Sequence, residues 1–211
     1  MEQSNQALSR YSSLMPGVGS SYGHAWRQMW KYFLELLLIL IVFILIDSLT
    51  GLGYIGGPFW STVTFIYGIL IVGPIGYGVA YAYLRVVRGE TLKTQDMFYV
   101  FQNYWNAVLA NILVAVIIGI GLVLLVVPGI VFACKLAFTP YLITERKMEV
   151  VEAIKQSWRM TSGYAWKVFL IGVLAIFIII AGLICFGVGI LVAWIWISLA
   201  LASLYIAVEG L

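Results

Sequence analysis

Three stretches of this chain, residues 48–84, 97–134 and 168–208, contain no Asp, Glu, Lys or Arg, giving uncharged runs of 37, 38 and 41 residues. A helix needs about 20 apolar residues to cross a bilayer, so each run holds most of two crossings and the turn between them. The remaining composition agrees: 63% of the 211 residues are hydrophobic and 10% are charged, against roughly 25% charged in a soluble domain. These runs predict an all-α, polytopic membrane protein.

The hydrophobic segments divide into six crossings: Tyr32–Leu49, Phe59–Leu84, Trp105–Val127, a short Ile130–Thr144, Trp166–Cys185 and Gly189–Val208. Helix breakers separate the members of each pair, namely Gly51, Gly53, Gly56, Gly57 and Pro58, then Pro128 and Gly129, then Gly187 and Gly189. These residues stop helices through a missing donor or left-handed backbone freedom. Eleven of the 12 Lys and Arg fall on one side of this arrangement: Arg10, Arg27, Lys31, Arg85, Arg88, Lys93, Arg146, Lys147, Lys155, Arg159 and Lys167. The positive-inside rule then puts both termini and both long loops in the cytoplasm. Lys135 is the exception.

An amphipathic segment precedes each pair of crossings. Trp26, Met29, Trp30 and Phe33 share one helical face; Met97, Phe98, Phe101, Tyr104, Trp105 and Val108 form a second stripe; Val151, Ile154 and Trp158 form a third, with Glu152, Lys155, Gln156 and Arg159 opposite. Such helices lie at the headgroup level, with aromatic rings in the interface and basic side chains reaching phosphate. Counting sixteen residues onward from Trp105 and from Trp166 reaches a glycine each time, Gly121 and Gly182. The chain thus divides into a flexible tail at 1–19 and one membrane domain at 20–211, built of units at about 20–84, 94–144 and 148–208. Either duplication or the shared demands of helical hairpins in a bilayer produces such a pattern.

Several functions lack their residues. The net charge of +3 is too small and scattered for nucleic acid. The only His is His24, and Cys134 and Cys185 sit apart in apolar runs, so no metal spacing is present. No HExxH, GxSxG, Walker-type loop or paired carboxylates occur, so neither a catalytic residue nor a cofactor is expected. The first 30 residues are polar and Ser-rich, unlike a cleavable signal.

Polar residues inside the crossings attract the functional question, because a charge at mid-bilayer costs at least about 2.5–3.5 kcal/mol. Lys135 lies six residues past Gly129, and Asp47 lies near the outer end of the first crossing. They are expected either to pair as an orienting contact or, with Asn111, to line a ligand or ion site. Glu35 stands one turn from Lys31, a spacing that suits an i, i+4 pair. Asn111, Thr139 and Ser198 are expected to bond between helices, and Gly78 with Ala82, like Ser203 with Ala207, to permit close helix packing. Gly73-Pro74 and Thr139-Pro140 interrupt two crossings, which frees carbonyls.

Gly73-Pro74 through Ala80, Leu84-Arg85, Arg88-Gly89-Glu90, Asp96-Met97-Phe98, Pro128-Gly129-Ile130, Pro140-Tyr141, Glu152-Ala153-Ile154-Lys155-Gln156-Ser157 and Gly163-Tyr164-Ala165-Trp166-Lys167-Val168-Phe169 together resemble one family. It is the bacterial integral membrane family designated domain of unknown function nine-seven-five. The chain is more distantly similar to the membrane domain attached to some glycerophosphodiester phosphodiesterases. The likeness runs from about Phe59 to the C-terminus. It implies six helices in a bacterial cytoplasmic membrane and no assigned reaction.

Two functional expectations follow. One is a non-catalytic membrane component, a scaffold, partner-binding or lipid-organising protein. Its aromatic segments, with Arg85, Arg88, Arg146, Lys147, Lys155 and Arg159, would meet anionic lipid headgroups at about 1 kcal/mol per basic residue. A membrane-protein partner or a second copy is compatible with its small-residue faces. The other is a small transporter or channel with a site at the hairpin interface near Asp47, Lys135 and Asn111.

Overall fold

The computed structural model describes residues 16–51, 53, 57–184 and 188–210. Residues 1–15, with most of the expected tail and Arg10, lie outside these, as do Gly56, Cys185 and Gly187. The described elements are all helical: α1 (Val18–Lys31), α2 (Phe33–Ser48), α3 (Gly57–Tyr67), α4 (Gly73–Val87), a 3-10 segment (Thr94–Asn103), α5 (Tyr104–Leu124), α6 (Val126–Leu136), α7 (Thr139–Glu145), α8 (Val150–Thr161), α9 (Ala165–Ile184) and α10 (Val188–Glu209). Six helical spans among the described residues are long and apolar enough to cross a membrane. The protein is an all-α, multi-pass integral membrane protein.

The order of elements repeats three times. An amphipathic segment (α1, the 3-10 segment or α8) leads into a first crossing (α2, α5 or α9) and then a second (α3–α4, α6–α7 or α10). The two crossings of the second and third units close on each other through glycine. Gly121 faces Gly129, where a Cβ would stand 2.9 Å from the Gly129 Cα, and Gly182 faces Gly189, where a Cβ would stand 2.7 Å from its carbonyl oxygen. The two glycines at matching positions thus do matching work.

Each amphipathic segment then packs on the second crossing of the unit before it. The 3-10 segment lies on α4, α8 lies on α6 and α7, and α1, belonging to the first unit, lies on α10 of the third. The three units therefore close into a ring. Its centre is formed by the second crossings, with α4 touching both α7 and α10. Burial follows this division: the second-crossing spans are 28%, 39% and 56% buried, the first-crossing spans only 17%, 22% and 22%.

Small residues make the contacts of the ring. Gly78 and Ala82 are buried on α4, and a Cβ at Gly78 would fall 1.7 Å from the Met97 carbonyl oxygen. The close approach at Gly78 is made with the 3-10 segment. The segment α8 buries Ala153, Ser157 and Thr161 while Val151 and Trp158 stay exposed. Likewise α1 buries Ser21, Tyr22, Ala25 and Met29 and exposes Trp26 and Trp30. The aromatic faces are turned outward, as a membrane interface requires; the small-residue faces hold the protein together.

Both Pro-interrupted crossings have their freed backbone bonded by the next unit. Pro74 has no N–H to offer the Leu70 carbonyl four residues back, and the Tyr104 hydroxyl donates to that carbonyl at 2.7 Å. The helix is locally widened there, over Gly68–Val72. The break between α6 and α7 precedes Pro140. Ser157 and Thr161 of α8 donate to the Lys135 carbonyl at 2.9 and 3.0 Å, and the Phe138 N–H donates to Ser157 Oγ at 3.3 Å. Such outside partners are what make interrupted helices tolerable in a bilayer.

Two local expectations are corrected. Pro128 and Gly129 do not form the outer turn; extended Leu125 does (φ −166, ψ 146), and Pro128 sits in the first turn of α6, where its missing N–H would have no intrahelical partner. Lys31 and Glu35 form no ion pair, because Tyr32 (φ −120, ψ 31) ends α1 and breaks the helical spacing between them. The Lys31 ammonium lies over the Tyr32 ring instead, 5.0 Å from its centroid.

Candidate functional site

The basic residues of the sequence separate into two groups, according to whether a distant helix brings a carboxylate to them. Where the second crossings end, Arg88 after α4 pairs with Glu145 at the end of α7 and with Glu209 at the end of α10 (3.0 Å), and Arg146 also pairs with Glu209 (2.5 Å). The Tyr205 hydroxyl donates to Glu145 at 3.0 Å. Four charges from three inner helices thus tie their ends together. Burial works against the charge on Arg88, but Glu145 and Glu209 outweigh it and hold its pKa above the usual guanidinium value. Its hydrogen bond to Glu209 likewise raises that of Arg146. A second cluster joins Arg85 to Glu90 (2.8 Å) and Asp96 (2.5 Å), and Asp96 also accepts from the Lys93 N–H at the start of the 3-10 segment (2.8 Å).

Three of the six basic residues expected to meet lipid, Arg85, Arg88 and Arg146, are therefore engaged within the protein. Lys147 donates to Gln102 at 2.9 Å and lies over the Tyr99 ring. Lys155 and Arg159 are exposed on α8 and Arg27 is exposed on α1; among the described residues none of these three has a carboxylate within ion-pair distance. Exposed Trp26, Trp30 and Trp158 stand beside them in sequence on the same segments.

Among the described residues, no hydrogen bond or ion pair joins any two of Asp47, Lys135 and Asn111. Asp47 is exposed near the end of α2. The Asn111 side chain packs over Gly73, where a Cβ would overlap it at 2.2 Å. Lys135 turns towards the α8–α9 junction: its Nζ donates to Ser162 Oγ at 3.1 Å and lies 5.5 Å from the Trp158 ring centroid. The twelfth basic side chain thus joins the end of the segment that carries Lys155 and Arg159. Interhelical bonds come from other residues than Asn111, Thr139 and Ser198. Tyr67 donates to the Ile46 carbonyl, Tyr22 to Ile171, Trp196 to Tyr22 and Asn103 to Ile143, at 2.9–3.1 Å. The aromatic composition carried that signal, since a Tyr or Trp buried among helices seeks a partner for its polar end.

A cavity of about 190 Å³ lies between the inner crossings, lined by Gly76, Tyr83, Pro140, Tyr141, Trp194 and Ser198 among others. Among the described residues, the Tyr83 hydroxyl is buried without a partner, and so is that of Thr139 next to Pro140. No known family, curated protein or solved structure matches the chain.

Proposed function

We propose that this protein is a non-catalytic component of a bacterial cytoplasmic membrane, with its basic side in the cytoplasm, where its amphipathic segments engage anionic lipid headgroups. The observation carrying this reading is the division of the basic residues. Arg85, Arg88 and Arg146 hold the protein together, while Arg27, Lys155 and Arg159 remain exposed and uncompensated on segments whose Trp side chains face outward. A cation left free beside interfacial aromatics is suited to lipid phosphate, at about 1 kcal/mol for each residue close to an anionic surface. Membership of the family whose motifs the chain resembles is part of the same proposal, and that family brings no reaction with it.

The test is lipid composition. The protein, purified in mild detergent from a membrane of mixed phosphatidylglycerol and phosphatidylethanolamine, is expected to carry more phosphatidylglycerol than the membrane it left. Combined Arg27→Gln, Lys155→Gln and Arg159→Gln should reduce that enrichment. Co-purified lipid of bulk composition would refute the reading.

The cavity between the inner crossings favours a second reading, passage or binding of a small solute, since Tyr83 offers an unused buried hydroxyl there. Flux across reconstituted vesicles that falls with Tyr83→Phe would support it over the first.

A further inference from the structure

Lys135 presents a charge problem the fold does not solve. It lies on α6 within a membrane span, nine residues past Val126 and so about 14 Å along the helix. Its ammonium meets a hydroxyl, Ser162, and an aromatic face, Trp158; among the described residues no carboxylate pairs with it. An ammonium has three donors, so two remain after Ser162. Ionisable groups in membrane spans pair with one another or with backbone carbonyls, or reach a water-filled cavity or the interface. Among the described residues no counter-charge is supplied, which leaves the ammonium open to an external anion.

The surroundings of Lys135 narrow what can supply it. Beside Lys135, α6 of the second unit meets α9, the first crossing of the third. Two apolar cavities open there, of about 310 and 410 Å³, which share Ile130, Cys134 and Phe169. Their size is that of ligand sites, roughly 300–1,000 Å³, and their walls are almost wholly hydrocarbon. Val127 and Val131 line the first of them, and Lys135 continues their row by one further turn, since residues four apart stack on one face of a helix. At the same end, Ala165 and Trp166 of α9 line the cavity, three and four residues after Ser162, and Ser162 and Gly163 are exposed. An apolar slot therefore runs beside a row that ends in an uncompensated cation at an exposed junction.

We propose that one anionic phospholipid occupies this seam, with an acyl chain between α6 and α9 and its phosphate on Lys135. Charge complementarity selects the anion, and the continuous apolar wall selects a lipid over free phosphate. This rests on the reading of the protein as an anionic-lipid binder, but assigns a distinct site: the exposed Arg27, Lys155 and Arg159 would hold exchanging lipid, the seam a retained one.

Native mass spectrometry after release from nanodiscs of phosphatidylglycerol and phosphatidylethanolamine separates the two. One phosphatidylglycerol per chain should survive activation that strips the others, in the wild type and in the Arg27→Gln, Lys155→Gln, Arg159→Gln variant. Its retention should fall at least tenfold in Lys135→Gln and persist in Lys135→Arg. Ile130→Trp, which fills the seam and leaves Lys135 in place, should also lose it, and decides the matter if Lys135→Gln does not fold. Excess inorganic phosphate should not displace it. Absence of a retained lipid in the wild type, equal retention of phosphatidylethanolamine, retention undiminished by Lys135→Gln or Ile130→Trp, or displacement by phosphate would each overturn the proposal. Bulk phosphatidylglycerol enrichment without a retained lipid would overturn it and leave the broader reading standing. A retained lipid without bulk enrichment would do the reverse.

Discussion

Glycine occurs on both the inner and the outer crossings, and what surrounds it depends on whether it faces another helix, as Gly121 and Gly182 do, or the outer surface. Gly78, on inner α4, abuts the Met97 backbone so closely that no side chain fits. Gly119 on α5 and Gly172 on α9, both outer helices, have nothing within 4 Å of where a Cβ would stand. Away from Gly121 and Gly182, the outer helices face lipid, which packs around any apolar shape, and ask of their sequence little beyond hydrophobicity. The inner helices meet other backbones, fixed hydroxyls and charges, so they constrain individual residues. Hydropathy alone conceals this difference, because lipid tails are as apolar as the side chains of a packed core.

Substitutions at matched positions put that contrast at risk. The largest effect is expected for Gly78→Val, which should abolish the folded protein, read as loss of the monodisperse peak in detergent. A folded Gly78→Val protein would mean that the 3-10 segment does not rest on α4. Next, Arg88→Ala leaves Glu145 and Glu209 with Arg146 as the remaining cation and Tyr205 as a neutral donor beside them. Breaking a buried pair typically costs 3–5 kcal/mol, and partial exposure here (22% for Arg88, 14% for Glu145) brings the expectation down to about 2 kcal/mol, seen as a lower Tm. An unchanged Tm would show that these charges do not tie the inner helices. Ser157→Ala, which removes one of the two donors to the Lys135 carbonyl and the acceptor for the Phe138 N–H, should cost about 1–2 kcal/mol. Among the smallest effects, Thr139→Val deletes a buried hydroxyl without a partner among the described residues and should be neutral or stabilising, by up to about 1 kcal/mol. Gly172→Ala on the outer surface should likewise be neutral or gain about 1 kcal/mol of helix propensity. A clear loss from Gly172→Ala would place a partner against α9.

The sequence made the crossings legible because hydrocarbon enforces a length and an apolarity that any 20-residue window reveals. It also exposed the glycines of the hairpins and the Gly78–Ala82 face, since close backbone approach admits few residue types. Pairing of charges was not legible. Arg88 and Glu209 stand 121 residues apart, and nothing local to either names the other, so Arg88 looks the same in sequence as unpaired Arg159. The direction of Lys135 was hidden for a related reason. Its distance from Gly129 could be counted, but its side chain is drawn by Ser162 and Trp158 on a different unit. The amphipathic stripes make the outward-facing aromatics legible, but not that Met29, Met97 and Val108 of the same stripes are buried; burial of small residues such as Ala25, Ala153 and Ser157 leaves no hydrophobic signature.

The seam where α1 meets α10 has a consequence for how the chain is made. Trp196 donates to the Tyr22 carbonyl across 174 residues of sequence, so the face of α1 that carries Tyr22, Ala25 and Met29 is synthesised long before its partner exists. At ribosomal speeds of about 5–20 residues per second, that wait lasts on the order of ten seconds or more. Throughout it, the amphipathic helix must rest on the bilayer surface or on another protein, and a chain arrested before Trp196 would present that face unpaired.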